Sequence, residues 1–258
     1  MELQAHLAAF TAQNIAVFGI SYDPVPTLAS FAAAHAIAYP LLSDTGSVFI
    51  DQLGIRNTTV DPTSKGWGIP YPGTYFIGED GRITDKVFHD THRTRDAATT
   101  TLYEHFGVAD AGGPTGSSDR QETETFTTVA AFDTDSFVRG ERVGLRVTIT
   151  MHPGVHIYGQ PLPDGYIPTT LTVAAPPPMV VEAVRYPPPR AMRMEWLDEA
   201  LSVYEGTVTL TTAVVFTDQQ EDLTITATLD VQACTTAECF VPQTLTFTLP
   251  MRFRAFPQ

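Results

Sequence analysis

Cysteine is nearly absent from this chain. There are two in 258 residues, Cys234 and Cys239, and none before them. So few thiols exclude a disulfide scaffold, and their count does not reveal the redox compartment. Long apolar runs are missing too. No stretch reaches the ~18 residues of a membrane span, so a chain that is not membrane-spanning is expected. The start, Met1-Glu-Leu-Gln-Ala-His6, has no basic segment followed by an apolar one, and no signal peptide is visible. Positive charge is scarce. Lys and Arg number 15 against 29 Asp and Glu, a net charge of −14, which argues against nucleic acid or anionic lipid as a partner. What remains is a globular composition, long enough for two domains. No internal repeat relates the two halves.

The halves differ in pattern. In residues 1–107 helical and strand signals alternate. Leu3, Leu7 and Phe10 recur at helical spacing, and Val25–Ala36 is Ala-rich with prolines at its start. Ile15–Ser21 is nearly all apolar, as in a strand buried on both faces. Tyr39–Leu42 reads as a strand and Thr45–Leu53 as a helix. Thr74–Gly78 and Arg82–Phe88 read as strands joined by a Glu-Asp-Gly turn, and Asp96–Phe106 as a helix stopped by Gly107. That order predicts an α/β unit with a mixed sheet. Residues 108–123 read as a polar, Gly-rich linker. From Glu124 onward helical spacing disappears. Val143–Thr150, Thr169–Ala174, Val180–Tyr186, Ser202–Phe216, Leu223–Val231 and Leu245–Phe253 alternate Val, Thr and Leu between prolines and glycines. The pattern predicts an all-β, immunoglobulin-like β-sandwich over 124–258, able to fold alone.

The cysteines lie in Val231-Gln-Ala-Cys-Thr-Thr-Ala-Glu-Cys-Phe-Val-Pro242, between two of these strands. Thr-Thr-Ala-Glu then forms a turn with the cysteines facing each other at its base, within disulfide reach. Closing so small a loop stabilises a fold by only about 2 kcal/mol in the chain-entropy model. Two readings stay open on spacing alone: a small structural bridge, or an electron carrier. Elsewhere His89, Asp90 and His92 suggest a metal site only faintly, and a solvated strand-to-helix loop is the better reading. Trp67 and Tyr71 fit ordinary loop packing as well as a groove. No metal and no cofactor are expected.

Ile69-Pro-Tyr-Pro-Gly-Thr-Tyr-Phe-Ile-Gly-Glu-Asp-Gly-Arg-Ile83 resembles the thioredoxin-fold redoxins, including the alkyl hydroperoxide reductase/thiol-specific antioxidant (AhpC/TSA) family. Val17–Asp23 and Tyr39–Asp44 resemble it as well. The resemblance implies an antioxidant-type redoxin domain over 1–107, with Pro72 as the cis-proline that faces the active-site cysteines. In that family a cysteine-bearing loop opens the first helix, where the helix N-terminus lowers the thiol pKa. Here the chain reads as starting inside that helix, with the central strand and its cysteine missing, so the expected thioredoxin-like sheet is incomplete. No thiol peroxidase activity is expected from these residues.

Residues 124–256 resemble the N-terminal domain of the thiol:disulfide interchange protein DsbD. The resemblance rests on His152-Pro-Gly-Val-His-Ile-Tyr-Gly159, Val184-Arg-Tyr-Pro-Pro-Pro189, Val203-Tyr-Glu-Gly-Thr-Val-Thr-Leu210 and the cysteine hairpin. It implies a bacterial, periplasmic domain whose Cys234 and Cys239 exchange disulfides. Its partners would be a thioredoxin-like or membrane-embedded reductase as donor and oxidised proteins as acceptors. It also implies a cap loop near Met192–Leu197, with Trp196 or Leu197 over the sulfurs, and His156 and Tyr158 near the pair. Glu238 beside Cys239 raises that thiol's pKa and favours Cys234 as the more nucleophilic. The joined reading is a thiol–disulfide relay. The rival is a partner-binding sandwich with a structural disulfide on a vestigial redoxin fold.

Overall fold

A computed structural model of the chain describes residues 2–89, 91–108, 116–193 and 200–255. They form two compact units, and the division in sequence falls between Ala98 and Thr99.

The first unit runs α1 (Glu2–Ala5), α2 (Leu7–Ala12), β1 (Gly19–Ser21), α3 (Val25–Ala34), β2 (Leu41–Ser43), α4 (Val48–Gln52), β3 (Gly73–Ile77), β4 (Ile83–Phe88) and β5 (Arg95–Asp96). Proline near the start of α3 fits the first turn, where its missing N–H costs nothing. The Asp44 carboxylate accepts hydrogen bonds from the amides of Val48 and Ile50, each 2.9 Å, at the start of α4. β1 and β2 pair in parallel, and β3 and β4 form the antiparallel hairpin that Glu-Asp-Gly predicts. These are two separate two-stranded sheets.

Two expectations need correction here. The apolar run Ile15–Ser21 contributes only Gly19–Ser21 to a strand, and Phe18 and Ile20 are 60% and 47% exposed. An apolar strand is buried on both faces only where neighbours cover both, and β1 has one partner strand among the described residues. Pro72 is not a cis-proline. The cis bonds found precede Pro161 and Pro178. The trans form is the lower-energy default, and here the chain passes from a bridge between Arg56 and Pro70 straight into β3.

Helix α5 (Ala98–Phe106) carries the chain into the second unit. There follow β6 (Ser118–Glu122), β7 (Phe126–Phe132), β8 (Ser136–Phe137), β9 (Glu141–Met151), β10 (His156–Tyr158), β11 (Thr170–Ala174), β12 (Val180–Val181), β13 (Arg190–Met192), β14 (Leu201–Glu205), β15 (Thr207–Phe216), β16 (Leu223–Val231), β17 (Ala233–Cys234) and β18 (Gln243–Phe253). They build three sheets. The orders are β12-β15-β9-β7-β6, β11-β16-β18-β8 and β13-β14-β10-β17. β6 falls in the stretch read as linker. Its alternate residues are exposed, which makes its sequence as polar as a loop's.

Alternation decides the core. β7 buries every second residue, including Phe126 and Phe132, β16 does the same from Ile225 to Val231, and β18 does so at Phe247, Leu249 and Met251. Phe137 of one sheet stacks on Phe216 of another at 4.0 Å. Val143, Leu145, Val147, Ile149, Phe247 and Leu249 are fully buried. This strand-rich unit is the β-sheet half that the sequence predicts.

Helix α5 belongs to this core from Thr99 on. Leu102 is fully buried. The Gly144 amide donates to Thr100 Oγ1 at 2.8 Å, and a Cβ on Gly144 would collide with Asp133 and crowd Thr100. The Arg146 guanidinium lies 4.3 Å over the Tyr103 ring. Arg142, with its side chain 6% exposed, is held between Glu104 and Glu182 by bidentate hydrogen bonds of 2.7–3.0 Å. A helix expected in the first unit thus helps to close the second.

Candidate redox site

Strands β16 and β18 pair continuously as far as Val231 opposite Gln243. The eleven residues between them leave that ladder and return to it. Their first part, β17, pairs instead with β10, and Cys234 forms a bridge with Cys239. The turn between the cysteines is closed by its own polar groups. Thr235 N–H donates to the Glu238 carbonyl at 2.8 Å, and Thr235 Oγ1 accepts from the amides of Ala237 and Glu238 at 3.2 and 3.1 Å. Phe240 N–H donates to the Ala233 carbonyl at 2.9 Å and closes the base. These bonds bring the two Cα atoms to 4.0 Å, and the cysteines are joined as a disulfide.

The two sulfurs have different surroundings. Cys234 is fully buried, and Cys239 is exposed. Cys234 packs with Tyr158, Leu201 and Val203, and Leu162, Tyr166 and Met192 pack around that group. The Tyr158 hydroxyl donates to Cys239 Sγ at 3.4 Å, since a disulfide sulfur has no proton to give. Burial raises the Tyr158 pKa, and Tyr166 adds to the rise, so the group stays a donor. Tyr166 meets the Tyr158 ring edge-on at 5.2 Å.

His156 and Tyr158 share one face of β10 because side chains repeat every second residue along a strand. Antiparallel pairing places His156 opposite Cys234 on one side and opposite Glu205 on the other. His156 is 1% exposed. Burial lowers its pKa, with Glu205 opposing the shift. Its ring lies 5.6 Å from that of Tyr158. After Tyr158 the chain passes so close to Pro189 and Tyr204 that Gly159 has no room for a Cβ.

The structure thus brings together Cys234, Cys239, His156 and Tyr158, all four marked in the sequence. Trp196 and Leu197, expected as a cap, lie outside the described residues. Tyr166 and Leu162 were not expected. They sit in a Pro- and Gly-rich loop with no strand pattern, and only the fold shows that this loop returns to the disulfide. Pro72 belongs to the first unit. Among the described residues no group of three or more His, Cys, Asp and Glu gathers to hold a metal. No helix among them is long and apolar enough to cross a membrane.

A strand-rich domain with a hairpin disulfide reaching its surface is the class that fold and site define. The chain belongs to the family of the thiol:disulfide interchange protein DsbD, N-terminal, whose family model matches residues 122–250, half of the chain. Residues 1–86 match the AhpC/TSA family model. A comparison with curated proteins finds no match. Solved structures similar to the chain include the N-terminal periplasmic domain of ScsB from Proteus mirabilis. It is 12% identical over 50% of this chain and 49% of that one, with a TM-score of 0.38. The GAE domain of GGA2p from Saccharomyces cerevisiae is 10% identical over 52% and 97%, with a TM-score of 0.32. The Neisseria meningitidis DsbD N-terminal domain in its reduced form is 9% identical over 54% and 86%, with a TM-score of 0.30. The match spans about half the length of the ScsB domain.

Proposed function

We propose that this chain is a thiol–disulfide exchange protein that carries two electrons on Cys234 and Cys239. The observation that carries the reading is the asymmetry of the disulfide, with one sulfur exposed and the other buried. An incoming thiolate reaches Cys239 first. It forms a mixed disulfide with Cys239 Sγ, and the electron pair of the broken S–S bond goes to Cys234. The partner's second thiolate then attacks the partner's own sulfur and releases the Cys239 thiolate. The partner leaves oxidised, and the chain holds two thiols after protonation from solvent. The reverse sequence reduces the disulfide of an acceptor.

Access therefore reverses the preference that Glu238 gave to Cys234. The donor is a thioredoxin-like or membrane-embedded disulfide reductase, and the acceptors are oxidised proteins outside the cytoplasm, in a bacterial periplasm. Membership of the DsbD N-terminal family supports this. The first unit is a redoxin-type domain of antioxidant kind by its family match. With no cysteine before Cys234, residues 1–107 give no thiol peroxidase activity.

Equilibration against glutathione buffers tests the reading. Structural disulfides of secreted proteins lie below about −300 mV. An exchangeable Cys234–Cys239 pair titrates above that value, and a pair below it belongs to the rival, structural reading.

A further inference from the structure

Opening the disulfide at Cys239 leaves a charge problem on the other sulfur. The electron pair arrives on Cys234, which is fully buried. It packs with Tyr158, Leu201 and Val203, and Leu162, Tyr166 and Met192 pack around that group, so that apart from the two tyrosine hydroxyls the surroundings are apolar. A buried thiolate without a hydrogen bond is costly, and burial of this kind raises a thiol's pKa. The Tyr158 hydroxyl is already engaged with the other sulfur, Cys239.

One polar group stands opposite. His156 faces Cys234 directly in the β10–β17 register, and opposed side chains of an antiparallel pair have Cβ atoms about 4.5–5.5 Å apart. The imidazole is buried, and its Nε2 has no hydrogen-bond partner among the described residues. A buried nitrogen without a partner in a native fold calls for an explanation.

We propose that His156 is the positioning residue for Cys234: when an incoming thiolate opens the disulfide at Cys239, Nε2–H of the neutral imidazole donates a hydrogen bond to the Cys234 thiolate. No proton is transferred in this step. The bond that forms joins the partner sulfur to Cys239, and the bond that breaks is Cys234–Cys239. The lost S–S bond frees the geometry that leaves Nε2 unpaired in the oxidised protein. The thiolate so held is poised to attack Cys239 again and expel the partner.

The other titratable and charged groups facing His156 do not supply this bond. Glu205 lies across on β14, exposed, and pairs with Arg190 of β13 at 3.3 Å. Tyr158 lies two residues along β10 and bonds Cys239, and Tyr166 packs edge-on against Tyr158. The depressed His156 pKa keeps the ring neutral near pH 7.

This inference rests on the exchange reading, yet it can be tested without any exchange. In the full chain carrying Cys239→Ser, Cys234 is the sole thiol, and its ionisation is followed by thiolate absorbance against pH. The expected ionisation constant is at least tenfold larger with His156 than with His156→Phe, and His156→Gln, which keeps an N–H donor, recovers most of the difference. Equal titrations in all three would overturn the proposal. A second measurement needs no change at position 156. In the same Cys239→Ser chain the His156 ring nitrogen resonances are expected to shift with the Cys234 midpoint, and resonances that stay constant through that midpoint would overturn the proposal as well. Failure here with a reducible native disulfide removes His156 and leaves the exchange reading intact. Success here with a disulfide that resists native reductants does the opposite.

Discussion

The Tyr158 hydroxyl donates a hydrogen bond to Cys239 Sγ at 3.4 Å, from a ring that is otherwise buried. The bond joins the core of the second unit to the exposed sulfur of the pair. A donor aimed at sulfur favours the charge that appears when Cys239 becomes a thiolate. Removing only the hydroxyl, by Tyr158→Phe, leaves the packing in place. A hydrogen bond of this kind contributes about 1 kcal/mol. The Cys239 thiolate that leaves during exchange is therefore expected to be disfavoured about fivefold, which slows release of a partner from Cys239 by that factor, with the melting temperature little changed. Rates of exchange with a thioredoxin-like protein, measured for the two proteins side by side, check this.

The unequal exposure of the sulfurs gives a prediction about trapping. Cys234→Ser leaves the exposed Cys239 free to form a mixed disulfide, and no neighbouring thiol remains to release the partner. Cys239→Ser leaves only the buried Cys234. With a thioredoxin-like protein that lacks its resolving cysteine and carries its remaining thiol as the mixed disulfide with thionitrobenzoate, the first variant is expected to expel thionitrobenzoate and trap the partner, and the second to trap little. Non-reducing electrophoresis followed by mass spectrometry reads the difference.

His156 also makes the second unit sensitive to acid. Its pKa in the folded protein lies below the ordinary imidazole value of 6.5 because burial penalises the charged ring. The unfolded chain therefore binds more protons than the folded one between the two pKa values. Stability must rise with pH through that window and fall as pH drops below about 6.5, until the folded ring is protonated too. His156→Gln removes this component. Urea unfolding at several pH values is expected to show a shallower loss of stability on acidification in the variant.

Arg142 accounts for a prediction at the other end of the unit. Its guanidinium is buried between Glu104 of α5 and Glu182. Glu104→Ala removes one of the carboxylates that pair with this buried cation. The expected cost is about 1–3 kcal/mol, read as a lower urea midpoint for the second unit. The same contacts imply that a fragment beginning at Thr99 is more stable than one beginning at Glu124.

The parts of this fold that were legible in the sequence are those where one residue pattern decides the outcome. Alternation over Leu223–Val231 and Leu245–Phe253 gives β16 and β18, and the short cysteine spacing gives the hairpin disulfide. His156 and Tyr158 were legible through their motif. The rest depends on neighbours. Ile15–Ser21 is apolar throughout, yet whether such a run is buried is set by what covers it. Ser118–Glu122 is polar because half of a strand faces out, so it read as linker. α5 follows the first unit in sequence, but Leu102 and Glu104 find their partners in the second. Tyr166 lies in a loop without periodicity, and only the tertiary path of that loop brings it to Tyr158.

The most direct test of the account is native reduction of the disulfide. The full chain is incubated with thioredoxin, thioredoxin reductase and NADPH without denaturant, its free thiols are alkylated, and the protein is weighed by mass spectrometry. The account predicts that Cys234 and Cys239 both become labelled, and that each reduced chain consumes one NADPH. A pair that stays closed under these conditions and opens only after denaturation would contradict it, and would make the Cys234–Cys239 bridge a structural one.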